Sequence, residues 1–184
     1  MSKNQSQYPI LPPLQKRIVL NLAHKGPQTI NQTAKNLKSQ YKATYIAFES
    51  LENKKIIKNV GKKEYRNRNY PLFWLTDEGL ILALIHNANP DILKVNAVQV
   101  YGENEAYSLM SDLAKALPIG RLAEIYTLFK TTEEGKPKLK AIPITSAETQ
   151  VFFKTLMQYP SFQTQVKKAL KGIEKMFEEV LDYE

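Results

Sequence analysis

The feature that most constrains the fold of this chain is a change of hydrophobic period near residue 56. Before it, apolar residues recur at helical spacing in three short segments; after it they gather into two strand-like runs, and then the helical period returns. Leu14, Ile18 and Leu22 stand at i, i+4 and i+8 with Val19 beside them, which predicts a helix over Leu14 to Ala23 that Gly26-Pro27 stops. Ile30, Ala34 and Leu37 share one face of a second helix, about Ile30 to Leu37, with lysines and amides on the other face. After the break Lys38-Ser39-Gln40, a third helix turns Thr44, Ala47, Phe48 and Leu51 inward and ends near Lys54 and Lys55.

Two short helices joined by a tight turn, the second longer than the first, form a helix-turn-helix pattern. Ile56-Ile57 and Val60 before Gly61, and the run Tyr70 to Leu75 with Pro71 near its start, predict two antiparallel strands. Between them, Lys62-Lys63-Glu64-Tyr65-Arg66-Asn67-Arg68-Asn69 reads as a basic loop too polar to be buried, and Tyr65 and Tyr70 fit either strand packing or base stacking, with packing the preferred expectation. Thr76 is placed as an N-cap, with Asp77 and Glu78 in the first turn, where the helix dipole favours acids, of a helix through Leu80, Ile81, Leu84 and Ile85. Asn89-Pro90-Asp91 ends that helix and caps the next.

The rest reads as helical, with helices expected over Asp91 to Val100, Glu103 to Leu117 and Arg121 to Lys130. Thr131 to Ile144 is a polar stretch punctuated by glycine and proline and reads as a long loop. Thr145-x-x-Glu148 is a capping box opening a helix that Pro160 ends, and a final helix begins near Ser161. In that last helix Val166, Leu170, Ile173, Phe177 and Val180 are spaced four, three, four and three, a heptad seam. It fits either pairing between two chains or a terminal helix packed on its own domain.

Charge is divided unevenly along the chain. The 184 residues carry 26 Lys and Arg against 18 Asp and Glu, a net +8. Fourteen of the basic residues and three of the acids fall before residue 76, so the positive excess belongs to the N-terminal part and the remainder is slightly acidic. That asymmetry points to an anionic partner more strongly than the total does. With no cysteine there is no disulfide framework or thiolate metal site, and an intracellular, cytoplasmic compartment is the simpler expectation. The polar start MSKNQSQYPI has no apolar leader, and the longest apolar run, Leu80 to Ile85, is too short for a membrane span.

The segments Thr29 to Leu37, Ala47 to Ile57 and Leu75-Thr76-Asp77-Glu78-Gly79, in this order of elements, resemble the second helix, recognition helix and post-wing LT-x-x-G of winged helix-turn-helix regulators of the MarR, PadR and ArsR type. Lys55 departs from the resemblance, standing where such sequences usually have glycine. The resemblance covers about residues 12 to 88. It implies a winged helix-turn-helix over 12–88, and with the residues on either side the expected fold is mainly α with a small β-hairpin: a polar tail over 1–11, that domain, and a helical dimerisation or regulatory region over 89–184. Its functional implication is a sequence-specific regulator that binds double-stranded DNA as a homodimer paired through C-terminal helices, with two recognition helices on half-sites about one helical turn apart.

The residues support that implication independently. With Thr44, Ala47, Phe48 and Leu51 inward, helical spacing turns Gln40, Tyr41, Lys42, Tyr45, Ile46 and Glu49 outward, a face able to enter a major groove. Lys62, Lys63, Arg66 and Arg68, led in by Lys58, are suited to neutralise phosphates, and an arginine at the tip can enter a minor groove. Lys16, Arg17, Lys35 and Lys38 are candidates for further phosphate contacts. No enzyme, cofactor or metal site is expected. His24 and His86 lack motif partners, Gly61-Lys62-Lys63 lacks the rest of a phosphate-binding loop, and Glu133-Glu134 and Glu178-Glu179 have no matching catalytic group. The competing function is a winged-helix interaction module within a replication or transcription assembly. A small-molecule effector held among C-terminal aromatics has no pattern to support it, since those residues also read as core.

Overall fold

The computed structural model describes residues 11–117 and, beyond them, 151, 154–155, 157–160 and 163–164. The elements are α1 (Pro13–Lys25), α2 (Ile30–Leu37), α3 (Tyr41–Asn53), β1 (Ile57–Tyr65), β2 (Arg68–Leu75), α4 (Asp77–Ile85), α5 (Pro90–Tyr101) and α6 (Glu105–Ala116). Helix, helix-turn-helix, antiparallel hairpin and helix succeed one another as in a winged helix-turn-helix, so the expected mainly α fold with a small hairpin is the one observed. The tail before Leu11, the helix over Arg121 to Lys130, the loop from Thr131 to Ile144, the capping box Thr145-x-x-Glu148, the seam from Val166 to Val180 and both glutamate pairs lie outside the described residues.

The chain divides into two compact units, Met1–Pro143 and Ile144–Glu184. In the second, Val151, Lys154 and Thr155 are helical, a turn follows, and helical geometry resumes at Pro160. The Thr155 and Thr164 hydroxyls donate back to the carbonyls of Val151 and Pro160, each at 2.9 Å.

In the first unit, Ile18, Val19 and Leu22 of α1, Phe48 and Leu51 of α3, Trp74 and Leu75 of β2 and Leu80 and Leu82 of α4 form one continuous buried core. Burying each large side chain contributes about 1.5–3 kcal/mol. Leu93 and Ala97 of α5 join the same core, and Asn96 Nδ2 donates to the Ala23 carbonyl at 2.8 Å. Trp74 is fully buried with its indole N–H satisfied by the Leu22 carbonyl at 2.9 Å. The main chain of Gln28 pairs with that of Phe73, while its side-chain oxygen accepts from Asn21, Thr33 and Asn36. One buried residue therefore joins α1 and α2 through its side chain and the sheet through its main chain.

Local chemistry sets the helix ends. Thr29 and Gln32 form a reciprocal capping box at the start of α2. The ends of α2, α3 and α4 share a paired closure, with Ser39 N–H donating to Ala34, Ile56 N–H to Leu51 and Ala88 N–H to Ala83. In each, the preceding residue is left-handed: Lys38 (φ 50°), Lys55 (φ 57°) and Asn87 (φ 69°). Lys55 thus takes the conformation that the glycine of similar sequences would take freely.

The hairpin corrects the expected loop. Residues 62–65 and 68–69 continue the two strands, and only Arg66 and Asn67 turn the chain, with φ of 49° and 57° in a two-residue turn of the type that matches strand twist. The loop reading arose because this part of the hairpin has both faces in solvent, which erases the alternation of apolar and polar residues, and because the turn contains no glycine. A bulge between Asn59 and Gly61, where Asn59 Oδ1 accepts from Gly61 N–H at 3.0 Å, marks the point beyond which every residue to Pro71 is exposed.

Candidate nucleic-acid interface

Helix α3 is anchored from behind. Phe48 meets Phe73 edge-on at 5.4 Å between ring centroids, Leu51 is fully buried, and Gln15 on α1 donates to Ser50 at 2.9 Å. At its start the Thr44 hydroxyl lies 2.7 Å from that of Ser39 and 3.0 Å from the Gln40 carbonyl. These contacts leave the opposite face free: Gln40, Lys42 and Glu49 are exposed, and Tyr41, Tyr45 and Ile46 are 55%, 43% and 55% exposed. All six residues expected to point outward do so, on one rigid helix. Large side chains this open stand opposite a buried face of Thr44, Ala47, Phe48 and Leu51 and suit a surface that a partner covers.

The exposed hairpin carries the second group. Lys62, Lys63, Arg66 and Arg68 all lie in its solvent-exposed part. Five residues of β1, from Gly61 to Tyr65, extend it by about 16 Å. Tyr65 and Tyr70 do not pack as expected. They are 57% and 37% exposed, because both strands lack a covering layer there, and the Arg66 guanidinium sits 5.2 Å from the Tyr65 ring centre. Two aromatic rings are thereby added to the basic surface. The signal that could have revealed them was the absence of apolar alternation around Tyr65.

One joint holds the helix and the hairpin together. Thr76, which follows β2, donates its N–H to the Ile56 carbonyl at 3.0 Å, and its hydroxyl lies 2.6 Å from the Lys55 carbonyl and 3.1 Å from that of Ile56. The same oxygen accepts from Gly79 N–H at 3.1 Å and so caps α4. A Cβ on Gly79 would lie 2.1 Å from the Ile56 carbonyl oxygen, so only glycine lets α4 approach the chain that leaves α3 this closely. The base of the hairpin is fastened a second time. Tyr101 of α5 donates its hydroxyl to the Leu75 carbonyl, its ring lies 5.4 Å from Trp74, and Lys58 Nζ sits 4.4 Å above it. Burial first, then Asp77 and Tyr107, push the Tyr101 phenol far above its ordinary 10.0, which keeps it a donor. Lys58 is therefore engaged with this ring, at some distance along the strand from the basic tip.

Of the other basic candidates, Lys16, Lys35 and Lys38 are exposed, whereas Arg17 donates to the Leu37 carbonyl at 2.6 Å and so finishes α2. His24 accepts through Nε2 from Asn89 N–H at 3.2 Å. His86 is half-buried at the end of α4, and its Nε2 has no hydrogen-bond partner among the described residues. Burial first, and the Lys16 charge second, hold its imidazole below the usual 6.5. Among the described residues, no group of three or more His, Asp or Glu side chains is placed to hold a metal ion.

No protein-family model and no curated protein matches the chain. Solved structures to which it is similar include a mutant of ZitR from Lactococcus lactis, at 20% identity over 74% of this chain and 82% of that one, with a TM-score of 0.38. A MarR family regulator from Neisseria meningitidis, NMB1585, is similar at 19% identity over 68% and 82%, with a TM-score of 0.37. Wild-type Lactococcus lactis ZitR in complex with DNA is similar at 15% identity over 74% and 84%, with a TM-score of 0.33.

Proposed function

We propose that this chain is a transcriptional regulator that binds double-stranded DNA in a sequence-specific way. The observation that carries the proposal is the pairing of an open face on α3 with a basic hairpin fastened to the same helix end. Gln40, Tyr41, Lys42, Tyr45 and Ile46 are the base-reading residues, with α3 in a major groove about 12 Å wide. Lys62, Lys63, Arg66 and Arg68 bind the backbone or an adjacent minor groove. Arg66 supports this role by holding a left-handed conformation, unusual for arginine, at the tip of the hairpin. In this proposal the functional unit is a homodimer paired through the C-terminal helices, since one α3 reads too few bases for a specific site.

Fluorescence anisotropy with the full chain tests the proposal. Binding to random duplex at low salt, tighter binding to a selected sequence, and a change of sequence preference on Lys42→Ala or Tyr45→Ala are expected. No binding to any duplex refutes it in favour of a protein-interaction module. Equal losses on all sequences from changes in α3 and in the hairpin refute base reading by α3. Light scattering of the full chain and of a chain ending at Tyr159 tests the pairing, with a dimer expected to become a monomer.

A further inference from the structure

The composition of the exposed face of α3 specifies what kind of base edge it suits. Thirteen residues form the helix, and none is arginine, the side chain that most often reads guanine. Lys42 is its one cation, and Gln40, at the N-cap, is the one amide beside the reading face, since Asn53 stands at the opposite end of the helix. What dominates the face is apolar: Tyr41 and Tyr45 form a tilted pair with ring centroids 6.4 Å apart, and Ile46, on the same open side of the helix, is 55% exposed. Glu49 and Glu52, both exposed, occupy the later part of the helix and are repelled by phosphate, which leaves the first two turns to make the approach.

The surroundings indicate the occupant. Lys42 shares this helix, Lys35 and Lys38 are exposed on α2 and in the turn before α3, and the exposed hairpin adds Lys62, Lys63, Arg66 and Arg68. Exposed apolar side chains on a helix with exposed cations before it and beyond it complement a surface that is apolar at its centre and anionic at its margins. The major groove at thymine is such a surface, because thymine alone among the four bases presents a methyl group there, between two rows of phosphates. We infer that Tyr41, Tyr45 and Ile46 read thymine C5-methyl groups, so that the preferred duplex is thymine-rich and guanine-poor where α3 lies. This inference rests on the DNA-binding reading above.

The test removes the methyl and nothing else. Duplexes are enriched from a randomised 20-base-pair library by repeated binding to the full chain, and the best sequence is then made with deoxyuridine in place of thymine. Affinity is expected to fall about fourfold for each methyl buried, the equivalent of one lost methylene contact. Binding to random duplex is expected to stay the same. In Ile46→Ala and Tyr41→Ala proteins, whose solvent-facing substitutions leave the core intact, the penalty for uridine should shrink by the share of the missing side chain. A selected sequence bound equally well with uridine and with thymine overturns the inference while leaving the DNA-binding reading standing. Enrichment of guanine-rich sequences, or none at all, overturns it too, and absence of binding to any duplex overturns both.

Discussion

Replacing Gly79 with alanine tests whether α4 and the chain leaving α3 at Ile56 meet as closely as described. The added Cβ would lie 2.1 Å from the Ile56 carbonyl oxygen and 3.2 Å from both the Ile56 carbonyl carbon and Leu75 Cβ. Ordinary carbon to oxygen contact begins near about 3.3 Å, so the two elements must part by about 1 Å. That oxygen also accepts from Thr76 N–H and lies within reach of the Thr76 hydroxyl, so parting weakens two hydrogen bonds worth about 1 kcal/mol each. Overpacking itself costs about 1–3 kcal/mol. Against this, alanine is favoured over glycine inside a helix by about 1 kcal/mol. The net expectation is a loss of about 3 kcal/mol, a large part of the 5–15 kcal/mol of a typical domain. Urea denaturation followed by circular dichroism should show a midpoint lower by roughly 1–2 M at unchanged slope. Gly61→Ala is the control. Nothing stands within 4 Å of a Cβ there, and the change should stay within about 0.5 kcal/mol. A Gly79→Ala protein as stable as the parent, or more so, would mean that helix propensity governs the site and that the close approach is wrong.

Lys55→Gly should stabilise the fold by about 0.5–1 kcal/mol, because relief of the left-handed strain exceeds the entropy that glycine restores to the unfolded chain; thermal melting checks this, and an unchanged midpoint refutes it. Arg66→Ala and Arg68→Ala should each lower affinity for all duplexes alike and reduce the slope of log K against log salt by about 0.9. An unchanged slope would remove those residues from the interface. Stability should decline as pH falls through 6.5. His86 is held below that value when folded, so the unfolded chain takes up the proton first, and the contribution is complete above 6.5 and lost below it. A His86→Gln protein, compared by urea titration at several pH values, should show a shallower decline; parallel curves would refute the assignment.

What could be read from the residues was whatever leaves a periodic trace. The bounds of α2, the inward set of α3 and the Thr76 cap follow from apolar spacing and capping chemistry, and the structure has them where they were expected. The outer hairpin leaves no such trace, since neither of its faces is buried and its turn is Arg66-Asn67 with no glycine. Gln28 was invisible for the opposite reason. A polar residue after Gly26-Pro27 reads as loop, yet its amide is buried, and it holds three other side chains. Gly79 was legible only as part of a likeness to other sequences; the close approach at Ile56 supplies its physical reason.

These observations separate two tasks that the residues around α3 perform. The left-handed Lys55 closes the helix, and its carbonyl and that of Ile56 receive Thr76, so this joint is made by main-chain geometry, the Thr76 hydroxyl and the missing Cβ of Gly79. None of the proposed base-reading residues takes part in that joint. The reading face can therefore change its side chains without altering how the hairpin is presented, and the hairpin can change its charge without moving α3. That independence is why substitutions in α3 are expected to alter preference among sequences, while substitutions in the hairpin alter affinity for all of them. A joint built from the reading side chains themselves would couple the two effects and make them inseparable by mutation.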